Sequence, residues 1–405
     1  MIQSVSSIFP ERSGITVQAT EAIAAPSLDG LRLTRVICRD FRNHADLDLS
    51  VGSRFVALVG ENGAGKTNLL ESISLFSPGR GLRRADLSSM ARQAGSGGFA
   101  VSLALARGDD DHRIGTGYEP AVGDGRSTRL CRIDGETVGS PVAFAEFLRV
   151  IWLTPDLDGL FRGPAGDRRR FLDRLVLAVD ATHGARVNAL ERALRSRNRL
   201  LEERPNDGQW LDAIEREVAE LGVAVALARR ETAERLDRLI AESRDDAQPF
   251  PWAGIRLEGD LDDLVAVWPA LEAEDRFRAA LRQGRPRDRA AGRTLIGPQA
   301  TDLVVRHGPK DVPASTASTG EQKALLIGLV LAHARLVHAM CGIAPVILLD
   351  EVAAHLDPRR RASLFDALEA LQGQVWMTGA DPALFTELEG RADMVSVADG
   401  RIVSA

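Results

Sequence analysis

The stretch Phe55-Val56-Ala57-Leu58-Val59-Gly60-Glu61-Asn62-Gly63-Ala64-Gly65-Lys66-Thr67 decides how the chain is read. Its first five residues are apolar with a β-branched and aromatic bias, which predicts a buried strand ended by Gly60. From Gly60 to Thr67 the residues satisfy G-x-x-x-x-G-K-[ST] at every required position. Thr67 to Phe76 then has helical spacing and is stopped by Pro78-Gly79. Strand, glycine loop and helix, in that order, form a phosphate cradle. The glycines let backbone N–H groups turn inward around phosphate oxygens, Lys66 supplies a point charge to the β and γ phosphates, and Thr67 is a Mg²⁺ ligand. Only Lys66, Lys310 and Lys323 are lysines among the 51 basic residues, so chance does not readily place one here.

Downstream, Val346-Ile347-Leu348-Leu349-Asp350-Glu351 is an apolar strand that ends in two carboxylates. Alone it could be a strand running into a solvated acidic turn. Beside a triphosphate it has chemistry: Asp350 holds Mg²⁺, directly or through water, and Glu351 polarises the attacking water. About 30 residues earlier, Ser318-Thr319-Gly320-Glu321-Gln322-Lys323 precedes an apolar helical run. A serine cap and a glycine at a helix start expose backbone N–H groups to an anion, although many helices begin this way.

Further out, apolar and polar residues alternate from Leu31 to Val51, predicting two strands joined through Arg39-Asp40-Phe41-Arg42-Asn43. Phe99 to Leu105 and Leu130 to Ile133 read as more strands, a β-rich lobe beside the glycine loop. From Ala165 to Asp245 glycine is scarce and apolar residues recur at three and four, as at Leu211, Ile214, Val218, Leu221 and Val225. This predicts an antiparallel helical insertion turning at Pro205-Asn206-Asp207-Gly208. An arginine-rich stretch, Arg276 to Arg293, leads back to a strand at Leu303-Val304-Val305, and Ser318 to Ala405 alternates helix and strand. The expected division is a flexible extension over 1–28, a β-rich lobe I over 29–160, a helical arm or lobe II over 161–293, and an ATPase core over 294–405.

With 44% apolar and 27% charged residues, the 405-residue chain has material for two or three cores. A net charge of -6 excludes a uniformly basic surface while leaving local DNA-binding patches open. Cys38, Cys131 and Cys341 have neither zinc-site nor disulfide-framework spacing. Residues 1–28 lack the pattern of a secretory signal, and no later segment offers about eighteen uncharged apolar residues, so a cytoplasmic protein without a membrane span is expected.

Together, Gly60–Thr67, Ser318-Thr319-Gly320-Glu321, Asp350-Glu351 and Ala354-His355-Leu356-Asp357 resemble the Walker A, signature, Walker B and D-loop motifs of ABC ATPases. Asp40-Phe41-Arg42-Asn43, Gly65 to Ile73, Pro155-Asp156-Leu157 and Arg168-Arg169-Arg170-Phe171-Leu172-Asp173 narrow the likeness to the RecF family, in the SMC-like branch. The resemblance covers Leu31 to the C-terminus. It implies an α/β ABC-type head, a P-loop NTPase, and an ATP-dependent homodimer in which Ser318, Gly320 and Glu321 of one chain close over the γ-phosphate held by Gly60–Thr67 of the other. It also implies binding to double- and single-stranded DNA at gap junctions, RecA loading with RecR and RecO, and weak, DNA-stimulated ATP hydrolysis. Arg42 is expected near the α-phosphate or base, or else as a solvated residue. Arg168–Arg170 and the arginines from 276 to 293 are candidates for DNA phosphates, with solvated helix faces as the other reading.

The chain departs from the family in carrying Gly297-Pro298-Gln299-Ala300-Thr301-Asp302-Leu303 where a histidine and an arginine follow the proline. It has Met377-Thr378-Gly379 where transporters carry a switch histidine, and no glutamine around Trp152 to Asp156. Slow turnover is therefore expected. The alternative is a transporter or resistance ATPase subunit, or a nucleotide-gated adaptor.

Overall fold

The computed structural model describes residues 30–121, 127–245 and 249–404; the extension expected over 1–28 lies outside them. In chain order come β1 (Arg32–Phe41), β2 (His44–Ser50), β3 (Phe55–Val59), α1 (Lys66–Ser74), α2 (Leu87–Met90), β4 (Phe99–Arg107), β5 (Asp110–Glu119), β6 (Thr128–Ile133), β7 (Glu136–Thr137) and β8 (Val150–Leu153). Then follow α3 (Ala165–Val179), α4 (His183–Glu203), α5 (Gly208–Glu242), β9 (Ala253–Glu258), α6 (Asp260–Val267), α7 (Ala270–Gln283), α8 (Arg285–Ala291), β10 (Asp302–His307) and β11 (Val312–Pro313). The chain closes with α9 (Thr319–Cys341), β12 (Val346–Leu349), α10 (Pro358–Ala370), β13 (Val375–Gly379), β14 (Ala392–Ala398) and β15 (Arg401–Ser404).

Two compact units divide the chain, one running to Pro155 and resuming at Val337, the other spanning Asp156–Leu336. The first holds two sheets. One, ordered β2-β1-β4-β5-β6-β7, is antiparallel throughout. The other is ordered β15-β14-β3-β13-β12-β8 and is parallel except for the edge strand β15. Every residue of β3, β8, β12 and β13 is buried, as expected for parallel strands covered on both faces. Their continuous apolar runs are the sequence signature of that burial. Leu33, Val36, Phe41, Leu58, Leu70, Phe76, Phe99, Phe144 and Trp376 share one core.

One connection differs from expectation. The sequence predicts Arg39-Asp40-Phe41 as part of a link, but the ladder continues through it, with Arg39 opposite Asp46 and Phe41 opposite His44. The side chain of Phe41 is fully buried against Phe99, so packing extends the strand and leaves Arg42-Asn43 as the whole turn.

The second unit packs α4 and α5 around an apolar seam of Leu190, Leu194, Val218, Val223 and Ala226, with Leu261 and Phe277 added from α6 and α7. Gly222 is required there, because a Cβ would lie 2.8 Å from the ring of Phe277. The arginine-rich stretch forms α7 and α8. On α4, Arg197 is fully buried, donating to Glu215 (3.0 Å), Asp288 (2.8 Å), Thr294 (2.8 Å) and the carbonyl of Leu281 (2.7 Å). Helix α9 is long and apolar enough to cross a membrane, but 67% of that stretch is buried by protein, the usual state of a core helix.

Candidate nucleotide-binding site

Strand β3 delivers the chain to Gly60, and helix α1 starts at Lys66, so the loop between them caps a buried strand and opens a helix. Gly60 accepts no side chain: a Cβ would sit 2.1 Å from the carbonyl oxygen of Val397. Gly65 stands at φ 114°, and a Cβ there would meet Asn43 and His44 at 2.8 Å. Glu61, Asn62 and Gly63 are exposed, whereas Ala64 and Gly65 are buried. The Lys66 ammonium donates to the carbonyls of Gly60 (2.7 Å) and Glu61 (2.9 Å). Burial lowers its pKa from the ordinary lysine value, and Glu351 and Asp350 partly offset this.

Behind the loop lies a brace that its own sequence does not reveal. Asn43 donates to the carbonyl of Ala64 (3.1 Å), as does the backbone N–H of Gly400 (2.8 Å). The buried His44 ring bridges the carbonyls of Gly400 (Nδ1, 2.7 Å) and Gly65 (Nε2, 3.2 Å). Strand pairing of β14 with β3 brings Gly400 here from the far end of the chain.

Walker A and Walker B meet at one carboxylate oxygen. Thr67 Oγ1 donates to Asp350 Oδ1 (2.8 Å), and Thr378 Oγ1 donates to the same atom (2.8 Å). Thr378 Oγ1 also accepts from the Glu351 backbone N–H (2.9 Å), and Glu351 takes φ 54°. A left-handed glutamate carries backbone strain, and the Thr378 bond helps hold it. Burial raises the Asp350 pKa against the opposing effect of the two hydroxyls. A buried carboxylate beside a threonine hydroxyl suits a hard cation, which would add to the through-space compensation from Lys66 and Arg83. Among the described residues no group of three or more His, Cys, Asp or Glu could hold a metal alone. A cation at Thr67 and Asp350 therefore needs other oxygens, such as phosphates.

Arg42 pairs bidentately with the buried Glu71 of α1 (both 2.8 Å) and donates to the carbonyl of Ser89 (2.9 Å); Arg83 adds a third bond to Glu71 (2.8 Å). Its guanidinium thus fastens the β1–β2 turn to the helix that follows the phosphate loop.

Ser318, Gly320 and Glu321 belong to the second unit, at the start of α9. Ser318 and Glu321 form a reciprocal capping box: Ser318 N–H donates to Glu321 Oε2 (3.0 Å), and Glu321 N–H to Ser318 Oγ (3.4 Å). Gln322 and Arg162 hold the preceding turn through the carbonyl of Ala317 (2.7 and 2.8 Å).

Several of the arginines expected to meet DNA phosphates have partners within the chain. Arg168 pairs bidentately with Asp302 (2.8 and 2.7 Å), Arg169 donates to the carbonyl of Thr301 (2.9 Å), and Arg170 pairs with Asp167. Arg276 pairs with Glu272 (2.7 Å), Arg278 with Asp275 (3.0 Å), and Arg285 with Glu215 (2.6 Å). Asp173 receives Arg229 and His183; burial pushes its carboxyl up, but these partners prevail and hold it at about 2. These arginines join ion pairs within the chain, and those of Arg170, Arg276 and Arg278 lie on its exposed surface. In the departed segment, Gln299 folds back onto the carbonyl of Ile296 (2.7 Å).

A central parallel sheet, a phosphate loop feeding its first helix, and a threonine–aspartate contact beneath it define a P-loop nucleoside-triphosphatase head of the ABC type. The RecF/RecN/SMC N-terminal domain model matches residues 32–402. "DNA replication and repair protein RecF" of Mesorhizobium japonicum is 53% identical over 373 residues, covering 91% of this chain and 97% of that protein. The protein of the same name from Rhizobium meliloti is 54% identical over 370 residues, covering 91% and 98%. A solved structure of the recombination mediator protein RecF with ATPrS, of the RecFOR pathway, superposes with a TM-score of 0.81 at 20% identity, covering 93% of this chain and 98% of that one. The Smc head domain of Pyrococcus furiosus gives 0.51 at 17% identity, covering 93% and 96%. The chain belongs to the RecF family.

Proposed function

We propose that this chain is an ATP-dependent, DNA-binding recombination mediator of DNA repair and replication restart. Two copies close around ATP and Mg²⁺ as a clamp on gapped DNA, where with RecO and RecR they help load RecA in the cytoplasm. The carrying observation is the convergence of Thr67, Asp350 and Thr378 beneath the glycine loop. Lys66 exchanges neutral carbonyl partners for β and γ phosphate oxygens, and the N–H groups from Gly63 to Thr67 line the phosphates. Thr67 and Asp350 hold the Mg²⁺, which supplies charge neutralisation for phosphoryl transfer. Glu351 orients the attacking water, and Ser318 and Gly320 of the second copy complete the site. Pairing of Arg42 and Arg83 with Glu71, together with the missing switch histidine, supports slow, weakly DNA-stimulated hydrolysis that acts as a reset. The relatives' names support the repair role.

Sedimentation with and without ATP and gapped DNA, at several salt concentrations, tests the reading. ATP should produce a dimer, and DNA should join it with an affinity that falls steeply with salt. ATP hydrolysis and dimerisation both indifferent to DNA would sink the clamp and favour a transporter subunit or an adaptor.

A further inference from the structure

The capping box at the start of α9 contains an electrostatic problem. Ser318 Oγ accepts within the box, so its own proton is available to an incoming acceptor. The Glu321 carboxylate lies one helical turn away and stays ionised: Lys310 and Ser318 hold it at about 2. A triphosphate brought to Ser318 and Gly320 meets that negative charge at short range, where like charges repel strongly.

Lys310, in the short connection between β10 and β11, ion-pairs with Glu321 Oε1, the oxygen the capping box leaves open. Of the other two lysines, Lys66 serves the phosphate loop and Lys323 pairs with Asp158 (3.0 Å). We propose that Lys310 is a positioning residue of the signature half-site, neutralising Glu321 across the capping box so that the start of α9 accepts the triphosphate held by a second copy. This rests on the ATP-dimer reading above. An exposed ion pair contributes little to folding, so the pair's role here is in binding.

The test is ATP-driven dimerisation of the full chain by sedimentation, comparing wild type with K310A, K310R, E321Q and the K310A/E321Q double variant, with urea unfolding as the folding control. K310A is expected to weaken the dimer about tenfold at low salt, and the penalty should shrink as salt rises, because a bared repulsion is screened. K310R should restore most of the loss. In the E321Q background, K310A should add nothing, since no charge remains to neutralise. A purely structural Lys310 would instead give a loss that persists in that background and ignores salt, which overturns the proposal. So does a wild-type dimer indifferent to K310A. A wild type that stays monomeric with ATP overturns the dimer reading and this proposal together.

Discussion

Lys66 and Arg197 are both buried cations, and they are held in opposite ways. Lys66 rests its ammonium on two neutral carbonyls of its own loop and feels Asp350 and Glu351 only through space. Arg197 is saturated by two buried carboxylates, a hydroxyl and a carbonyl. A cation resting on carbonyls can be handed to a phosphate at small cost. One locked between carboxylates is architecture, because removing it strands their charge without solvent.

The largest effect expected from this contrast falls on Lys66. Lys66→Met should weaken ATP binding about a hundredfold or more and abolish ATP-driven dimerisation, while urea unfolding of the free chain changes by less than about 1 kcal/mol. Nucleotide titration of the variant checks it, and wild-type affinity would end the phosphate-cradle assignment. Arg197→Met should do the reverse, costing about 3–5 kcal/mol of stability by leaving Glu215 and Asp288 buried and unpaired. A cost below about 1 kcal/mol in chemical denaturation would break the comparison.

A third buried base shows the same logic without a charge. His333, on α9, hydrogen-bonds the carbonyl of Leu175 through Nε2 (3.0 Å). Burial lowers its pKa from 6.5 to about 4, the Leu175 carbonyl opposing and Arg174 assisting. A depressed pKa means the folded chain favours the neutral ring. The associated stability is complete above about pH 6.5 and is lost as pH falls toward 4, on the order of 3 kcal/mol. Stability measured across that window should lose this component in His333→Gln; parallel wild-type and variant curves would refute it.

Thr378→Val should slow hydrolysis about tenfold while ATP affinity changes by less than about twofold, with Thr378→Ser restoring the rate, because the threonine acts on Glu351 and Asp350 and not on the phosphates. An equal loss in affinity and rate would place it among the binding groups instead. The smallest effect belongs to the exposed pairs of α7. Arg276→Gln and Arg278→Gln should alter stability by less than about 0.5 kcal/mol and leave the salt slope of DNA binding untouched. A shallower slope would show that they leave their carboxylates for DNA.

How much could be read in advance depended on the separation of the partners along the chain. Gly60 to Thr67 is legible because all its chemistry lies within eight consecutive residues flanked by their own strand and helix. Asp350-Glu351 is legible because an apolar strand ending in two acids is rare enough to ask for a reason. Thr378, Asn43, His44 and Gly400 carry no such signal, being common residues whose role exists only once β3 pairs with β13 on one side and β14 on the other. The partners of the arginine runs were hidden for the same reason. Arg168 meets Asp302, and Arg285 meets Glu215, at separations of 134 and 70 residues, so neither partner is visible beside its arginine.

What the sequence alone determined was the presence of a phosphate loop, the strand-end acids Asp350 and Glu351 and the ABC class, since each is written in short contiguous patterns set by backbone geometry. Only the tertiary structure decided which cations remain available to that loop and which are locked away. Charge is local to a residue, but its availability depends on whatever folding places within hydrogen-bond distance.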